Sequence, residues 1–400
     1  MKKMPTAGYD PELERIVREL NDKVEIESLA SGTVVGRAAR REPSAPASAS
    51  SLDQLLRYAS AHGASDVILV AGSGLVLRKD GALLQSRGPI LSDEDIRSLI
   101  LPLLNSNRQE ELERERSLDF SFWREGIGRF RTNIHFQRGT LAVAIRLLPA
   151  EIPTLESLHL PASMSKLLER RQGLVLLTGP TGSGKTSTLA AMMGMINQQY
   201  AYHVVTIEDP IEYYHANRRS VFEQIEIGHD AVDFAHSLRS VLRQSPDVIL
   251  LGEMRDPETM AAALTAAETG HLVFSTLHTN DTMQAIGRIV DVFPSGRQNQ
   301  VRQQLSLALL AIIAQQLVPS ANGAGRYPAV EILLANTAVR HLIRKGEDHL
   351  LRSQLSLGRS DGMVMMEQSL ADLVHRKLIT EETAAAHCFR TDELRRYLEL

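Results

Sequence analysis

The sequence predicts an α/β protein: a mixed α+β segment, then a larger part built on a parallel sheet. Three observations carry this expectation. From about Leu160, apolar strand-like runs alternate with helical stretches, the pattern of a parallel sheet covered on both faces. Before Pro149, short strand patterns follow one another with turn signals between them, as in an antiparallel sheet carrying helices. A glycine-rich octet, Gly179–Thr186, joins one apolar strand to a helix.

Residues 1–42 are charged with balanced signs, and Pro11–Leu20 could form a short helix. Pro43–Ser51 has no group worth burying and reads as a tether, so residues 1–51 are expected to be a flexible extension and linker. Residues 52–150 form the first domain. Leu52–His62 is an amphipathic helix, and Asp66–Ala71 and Leu75–Lys79 are strands around a Gly-Ser-Gly turn. Ser92 caps a helix predicted to reach Leu104, with acidic residues in its first turn. Arg129–Phe136 alternates like a half-exposed strand, and Thr140–Leu148 is another.

The second domain is read as residues 160–400. Its predicted strands are Gly173–Thr178, His203–Ile207, Asp247–Leu251 and His271–Thr276, with helices between them. Leu305–Val318, the longest apolar run, is broken by Ser306 and Gln315–Gln316 and reads as a buried helix too short to span a bilayer. From Val339 onward the pattern is mainly helical.

The chain has 400 residues, with 43% hydrophobic and 23% charged, enough apolar surface for full cores. A net charge of -4 argues against a nucleic-acid backbone as the main partner. Cys388 is the single cysteine, which excludes an internal disulfide and a multi-cysteine zinc site. Met-Lys-Lys opens the sequence but no apolar stretch follows, so no signal peptide is read. The expectation is a cytoplasmic protein that meets a membrane only through partners.

Gly179, Pro180, Thr181, Gly182, Ser183, Gly184, Lys185 and Thr186 match the Walker A pattern, with Ser187 next in the helix. The glycines let backbone N–H groups turn inward around phosphates, and the helix presents its positive end to them. Lys185 supplies a point charge at the β- and γ-phosphates, and Thr186 a hydroxyl ligand for Mg²⁺. The substrate this implies is ATP with Mg²⁺.

Two acidic clusters follow predicted strands: Glu208-Asp209-Pro210-Ile211-Glu212 and Gly252-Glu253-Met254-Arg255-Asp256. In a doubly wound sheet, ligands lie beyond the carboxyl ends of the strands, so both clusters should face the phosphates. Hydrolysis needs one carboxylate to activate water and another group in the metal's water shell. The second cluster departs from the common order of apolar strand, Asp, Glu, because Gly252 stands at the Asp position. Glu208 is preferred for water activation and Glu253 for the metal-water shell, with the division between them left open. His278 ends the strand beside the loop and is a candidate γ-phosphate sensor; His271, at the strand's other end, is a weaker one.

These motifs, with Ala266–His271 and Val290–Pro294, stand in the order found in the secretion ATPases of type II secretion and type IV pili. The resemblance runs from about Ala61 to near residue 385. It implies a PAS-like N-terminal domain joined to a RecA-like ATPase domain with a helical C-terminal region, in a homo-hexameric ring with ATP between neighbours. It also implies an inner-membrane pilus platform protein as partner. Arginines of the N-terminal domain approach the nucleotide in this family. Arg129, Arg131, Arg138 and Arg146 are on offer, with Arg131 and Arg146 preferred, because a guanidinium stabilises a departing γ-phosphoryl group.

Within the family the chain is most similar to the pilus-retraction branch. Ala338–Lys345 resembles that branch's Ala-Ile-Arg-Asn-Leu-Ile-Arg-Glu helix, with His341 and Lys345 replacing Asn and Glu. Ile68, where members often carry histidine, is a second departure. An accessory motor, or a motor for secretion or DNA uptake, is the alternative.

Overall fold

The computed structural model describes residues 47–79, 82–85, 90–149, 151–323 and 325–399, and only the backbone of 47–51. The expectations for residues 1–42, including the Pro11–Leu20 helix, and for most of the tether lie outside the described residues. The chain divides into two units between Ala150 and Glu151.

The first unit opens with helix α1, Ala47–Ala61, which starts inside the stretch read as a tether. Its alanines and serines accept a helical backbone once the amphipathic Leu52–Ala59 face is anchored. Strands β1 (Asp66–Val70), β2 (Val76–Lys79) and β3 (Ala82–Gln85) follow. Helix α2 (Asp93–Ile100) begins in a reciprocal cap: Ser92 Oγ accepts from Asp95 N–H while the Asp95 carboxylate accepts from Ser92 N–H at 2.7 Å. It stops four residues short of Leu104, because Pro102 turns Leu101–Leu103 into a 3₁₀ turn. Helix α3 (Ser106–Glu115) comes next, then β4 (Ser117–Arg124), β5 (Gly128–Gln137) and β6 (Thr140–Leu147). The fully antiparallel sheet runs β3-β2-β1-β6-β5-β4. Burial alternates along β1 and β5, and Val67, Leu69, Phe130 and Ile134 share one core with Leu55, Leu56, Ile96 and Leu112 of the helices.

In the second unit, a 3₁₀ segment, Ala162–Glu169, precedes β7 (Gly173–Thr178), α4 (Lys185–Gln199), β8 (His203–Glu208), β9 (Val221–Glu226), α5 (Phe234–Val241) and β10 (Val248–Leu251). Then come α6 (Pro257–Glu268), β11 (Leu272–Leu277), α7 (Thr282–Asp291), α8 (Ser295–Ala308), β12 (Leu309–Pro319) and β13 (Arg326–Leu334). The sheet order is β13-β12-β7-β11-β10-β8-β9, parallel except for the β12–β13 pair. Every residue of β7, β10 and β11 is buried. Leu174 and Leu176 face one core with α5–α8, whereas Val175 and Leu177 face another with α4. Both faces are covered, so these strands read as continuous apolar runs rather than alternating ones.

One expectation is corrected here. Leu305–Val318 is not a single buried helix: α8 ends at Ala308 and Leu309–Pro319 is a strand. Ile312, Ile313 and Val318 favour the extended backbone, and β12 lies between β7 and β13, where each face meets packed side chains. The chain then turns helical as expected, in α9 (Thr337–Lys345), α10 (Leu351–Leu357), α11 (Met366–His375), α12 (Glu381–Ala386) and α13 (Thr391–Leu398). Among the described residues no helix is long and apolar enough to cross a membrane.

Candidate nucleotide site

Strand register gathers the site. Leu251 pairs with Ile207, so Glu208 and Gly252-Glu253 leave β8 and β10 at one level. Leu277 pairs with Thr178, so His278 and Gly179 leave β11 and β7 together. The two ends are fastened: Thr178 Oγ1 lies 2.6 Å from Thr279 Oγ1 and accepts from Thr279 N–H at 2.9 Å. The loop, both carboxylates and His278 therefore share the carboxyl edge of one parallel sheet.

Gly182 (φ 80°) and Gly184 (φ 86°) hold left-handed backbone in the loop, and Gly184 caps α4. Gly179 is dictated by space as well. A Cβ there would stand 2.2 Å from the Gln315 carbonyl oxygen. Lys185, the first helical residue, is buried and donates to Gly179 O (2.8 Å) and Pro180 O (3.1 Å). Burial pulls its ammonium below the usual lysine value, and the Glu253 charge opposes that shift. Thr186 is half-buried, and Ser187 Oγ lies 2.9 Å from the Tyr213 hydroxyl.

Glu208 is buried at the end of β8. Its Oε1 accepts from Thr206 Oγ1 at 2.7 Å and from Gln224 Nε2 at 3.4 Å. Desolvation pushes its carboxyl up to about 6, against the lowering effect of those two bonds. Glu253 is held otherwise: Oε1 pairs with Arg255 Nη2 at 2.7 Å and Oε2 with His278 Nε2 at 3.4 Å. Gly252 also has a steric reason. A Cβ there would lie 3.2 Å from Ile207 O and 3.5 Å from the Glu208 Cα, so the approach of β8 to β10 makes a tight fit for the aspartate of the common pattern, which the β8 backbone must yield to admit. Asp209 is exposed, and His271 is fixed by an Nδ1 contact of 3.0 Å with Ala266 O, a structural role.

Arg131 and Arg146 belong to the first unit and stand directly opposite each other on β5 and β6. Arg146 Nε donates to Asp66 Oδ1 at 3.0 Å, while Arg129 Nη2 donates to Ser121 Oγ at 3.0 Å. Arg138, with φ 49°, sits beside Gly139 (φ 82°) in the two-residue turn between those strands.

Sequence reasoning passed over Tyr213, Gln224 and Gln315. Gln315 donates from Nε2 to Ser183 O at 2.7 Å and accepts from Thr188 Oγ1 at 2.9 Å. The signal was present: a Gln pair inside an apolar run demands buried partners.

The site suits a polyphosphate. Among the described residues Ser183 Oγ is buried without a partner, glycines clear the turn, and Lys185 is drawn in beside a helix N-terminus. Fold and loop define the class: this is a P-loop ATPase. The model of the family described as type II/IV secretion system protein matches residues 138–395, and the chain belongs to that family. It is 43% identical over 335 residues to the twitching motility protein of Neisseria gonorrhoeae, covering 84% of this chain and 89% of that one. It is 40% identical over 333 residues to the type IV pilus retractation ATPase PilT of Pseudomonas aeruginosa, covering 83% and 96%. The crystal structure of the pilus retraction motor PilT with bound ADP superposes with a TM-score of 0.80 at 45% identity, over 86% of this chain and 98% of that one. The α/β class holds, with a PAS-like first unit and a RecA-like second.

Proposed function

We propose that this chain is the ATP-driven subunit of a homo-hexameric motor that retracts type IV pili by removing pilin at the fibre base. The observation that carries the proposal is the meeting of Lys185, Glu253, His278 and Glu208 at one sheet edge, in a chain 45% identical to an ADP-bound retraction motor. Lys185 leaves its loop carbonyls to bind β- and γ-phosphate oxygens, and the backbone of Gly179–Thr186 and Ser187 cradles the phosphates. Mg²⁺ would be held by the Thr186 hydroxyl and, through water, by Glu253, and would neutralise charge on the leaving phosphates. Glu208 and Glu253 share the activation of water and the support of that water shell. Glu208, with its carboxyl near 6, is ionised at neutral pH yet basic enough to take a proton. His278 reads the γ-phosphate, and Arg131 or Arg146 of a neighbouring subunit's first domain completes the charge compensation.

The domain limits we propose are 52–150 and 160–400, with 1–51 an extension whose last five residues begin α1. Work is delivered to an inner-membrane platform protein from the cytoplasmic side. Nucleic acid is not a direct partner, in keeping with the net charge of -4. Steady-state hydrolysis by wild type and Lys185→Ala, with a deletion strain scored for long, non-retracting pili, tests the proposal. Equal turnover in both proteins would sink it. Salt-sensitive stimulation by single-stranded DNA would move the reading to a DNA-uptake motor.

A further inference from the structure

A pair of amides lies in the middle of β12, and period-two geometry turns them to opposite faces of the sheet. Gln315 is 3% exposed. Its side chain spans the phosphate loop and the following helix: Nε2 donates to Ser183 O at 2.7 Å, and Oε1 accepts from Thr188 Oγ1 at 2.9 Å. Its backbone carbonyl blocks any side chain at Gly179, and its Nε2 stands 3.0 Å from where a Cβ of Gly184 would be. One residue thus touches the start, the end and the helical continuation of the loop. Gln316, half-buried, donates instead to His387 O at 2.9 Å, in the C-terminal helices.

The loop needs such a brace. Its carbonyls each need a partner: Gly179 O and Pro180 O take the Lys185 ammonium, and Ser183 O needs a donor of its own. That donor is Gln315 Nε2, and the bond is buried. Thr188 is buried, and its single hydroxyl hydrogen is shared between Gln315 Oε1 and Gly184 O (3.2 Å), so the amide clamps the first turn of α4 against the loop.

We propose that Gln315 is a positioning residue for nucleotide binding: its amide fixes the phosphate loop in the shape that accepts the phosphates. Gln315 touches no reacting atom, so its removal should weaken nucleotide binding far more than it slows the chemical step. This rests on the nucleotide-motor reading, and the test separates the two.

The experiment titrates the full chain with a fluorescent ADP analogue in Mg²⁺ buffer and measures ATP turnover for wild type, Gln315→Met, Thr188→Val and Gln316→Met. Methionine keeps the volume of glutamine but neither donates nor accepts strongly. For Gln315→Met the expected result is a rise of about tenfold in both Kd and KM, with kcat within about threefold of wild type. Thr188→Val, which leaves the Ser183 bond in place, should show a smaller rise, and the double variant should show less than the product of the two. Gln316→Met should leave Kd unchanged, and melting curves confirm that each variant is folded. The proposal is overturned if Gln315→Met binds as tightly as wild type, or if Gln316→Met weakens binding equally, which would make the effect one of strand stability. Failure of the wild-type chain to bind the analogue would instead remove the nucleotide-motor reading itself.

Discussion

The two sheets of this protein use the same strand geometry and reach opposite outcomes. In the antiparallel sheet of the first unit, successive strands end at alternate edges, and arginines such as Arg131 and Arg146 stand within the strands on a partly exposed face. In the parallel part of the second, β7, β8, β10 and β11 all end at one edge and deliver the loop, two carboxylates and a histidine there. Parallel order concentrates chemistry, whereas antiparallel order disperses it. The partners follow suit. Arg146 pairs with Asp66 in the exposed manner that contributes little to stability, while Glu208 is buried and its protonation is altered.

The largest effects should come from breaking the parallel edge. Lys185→Ala is expected to lower kcat/KM for ATP by about 10³-fold, read by steady-state phosphate release, since it removes the charge nearest the transferred group. Glu253→Gln keeps the shape but loses the charge that faces Lys185, Arg255 and His278, and should lower kcat by about 10²-fold while nucleotide still binds.

Installing the aspartate of the common motif asks whether strand spacing or chemistry dictates Gly252. Gly252→Asp should destabilise the chain by about 1–3 kcal/mol in urea unfolding, because its Cβ meets Ile207 O and the Glu208 backbone. A gain in both stability and turnover would overturn the steric account.

The pH dependence sharpens the contrast between buried and exposed acids. The Glu208 carboxyl is raised from 4.5 to about 6, so the folded chain holds its proton over a range where the unfolded chain has lost it. Stability attached to this group is thus present below about 4.5 and lost as pH rises through about 6, by about 2 kcal/mol. Glu208→Gln should abolish that loss when melting is followed from pH 4 to 7, and its residual, much lower turnover should no longer fall below about pH 6, where protonation of Glu208 slows the wild type. The smallest effect belongs to the antiparallel sheet. Arg146→Ala should change stability by no more than about 0.5 kcal/mol; on the proposed hexamer its consequence should show only as lower turnover.

Much of this was legible because physics writes it locally. The loop was readable since glycine, lysine and hydroxyl must stand at fixed spacing between a strand and a helix. The four central strands were readable as uninterrupted apolar runs. β12 was not: a continuous apolar stretch looks alike in a buried strand and a buried helix, and only its place between β7 and β13 decides. The end of α2 at Pro102 was written in the sequence and passed over. The reason for Gly252 could not be read at all, because it depends on how closely two strands approach. The same holds for Arg340. Its guanidinium donates to the carbonyls of Ser306, Leu307, Leu309 and Ala335, fastening the end of α8. It therefore belongs to the frame of the helix at Ala338–Lys345.

Calorimetric titration of the purified full-length chain with ADP and Mg²⁺ tests the central claim most directly. The account expects one site per chain with an affinity on the order of micromolar, weakened at least about 100-fold by Lys185→Ala. Absence of binding by the wild type, or equal binding by the two proteins, would contradict it.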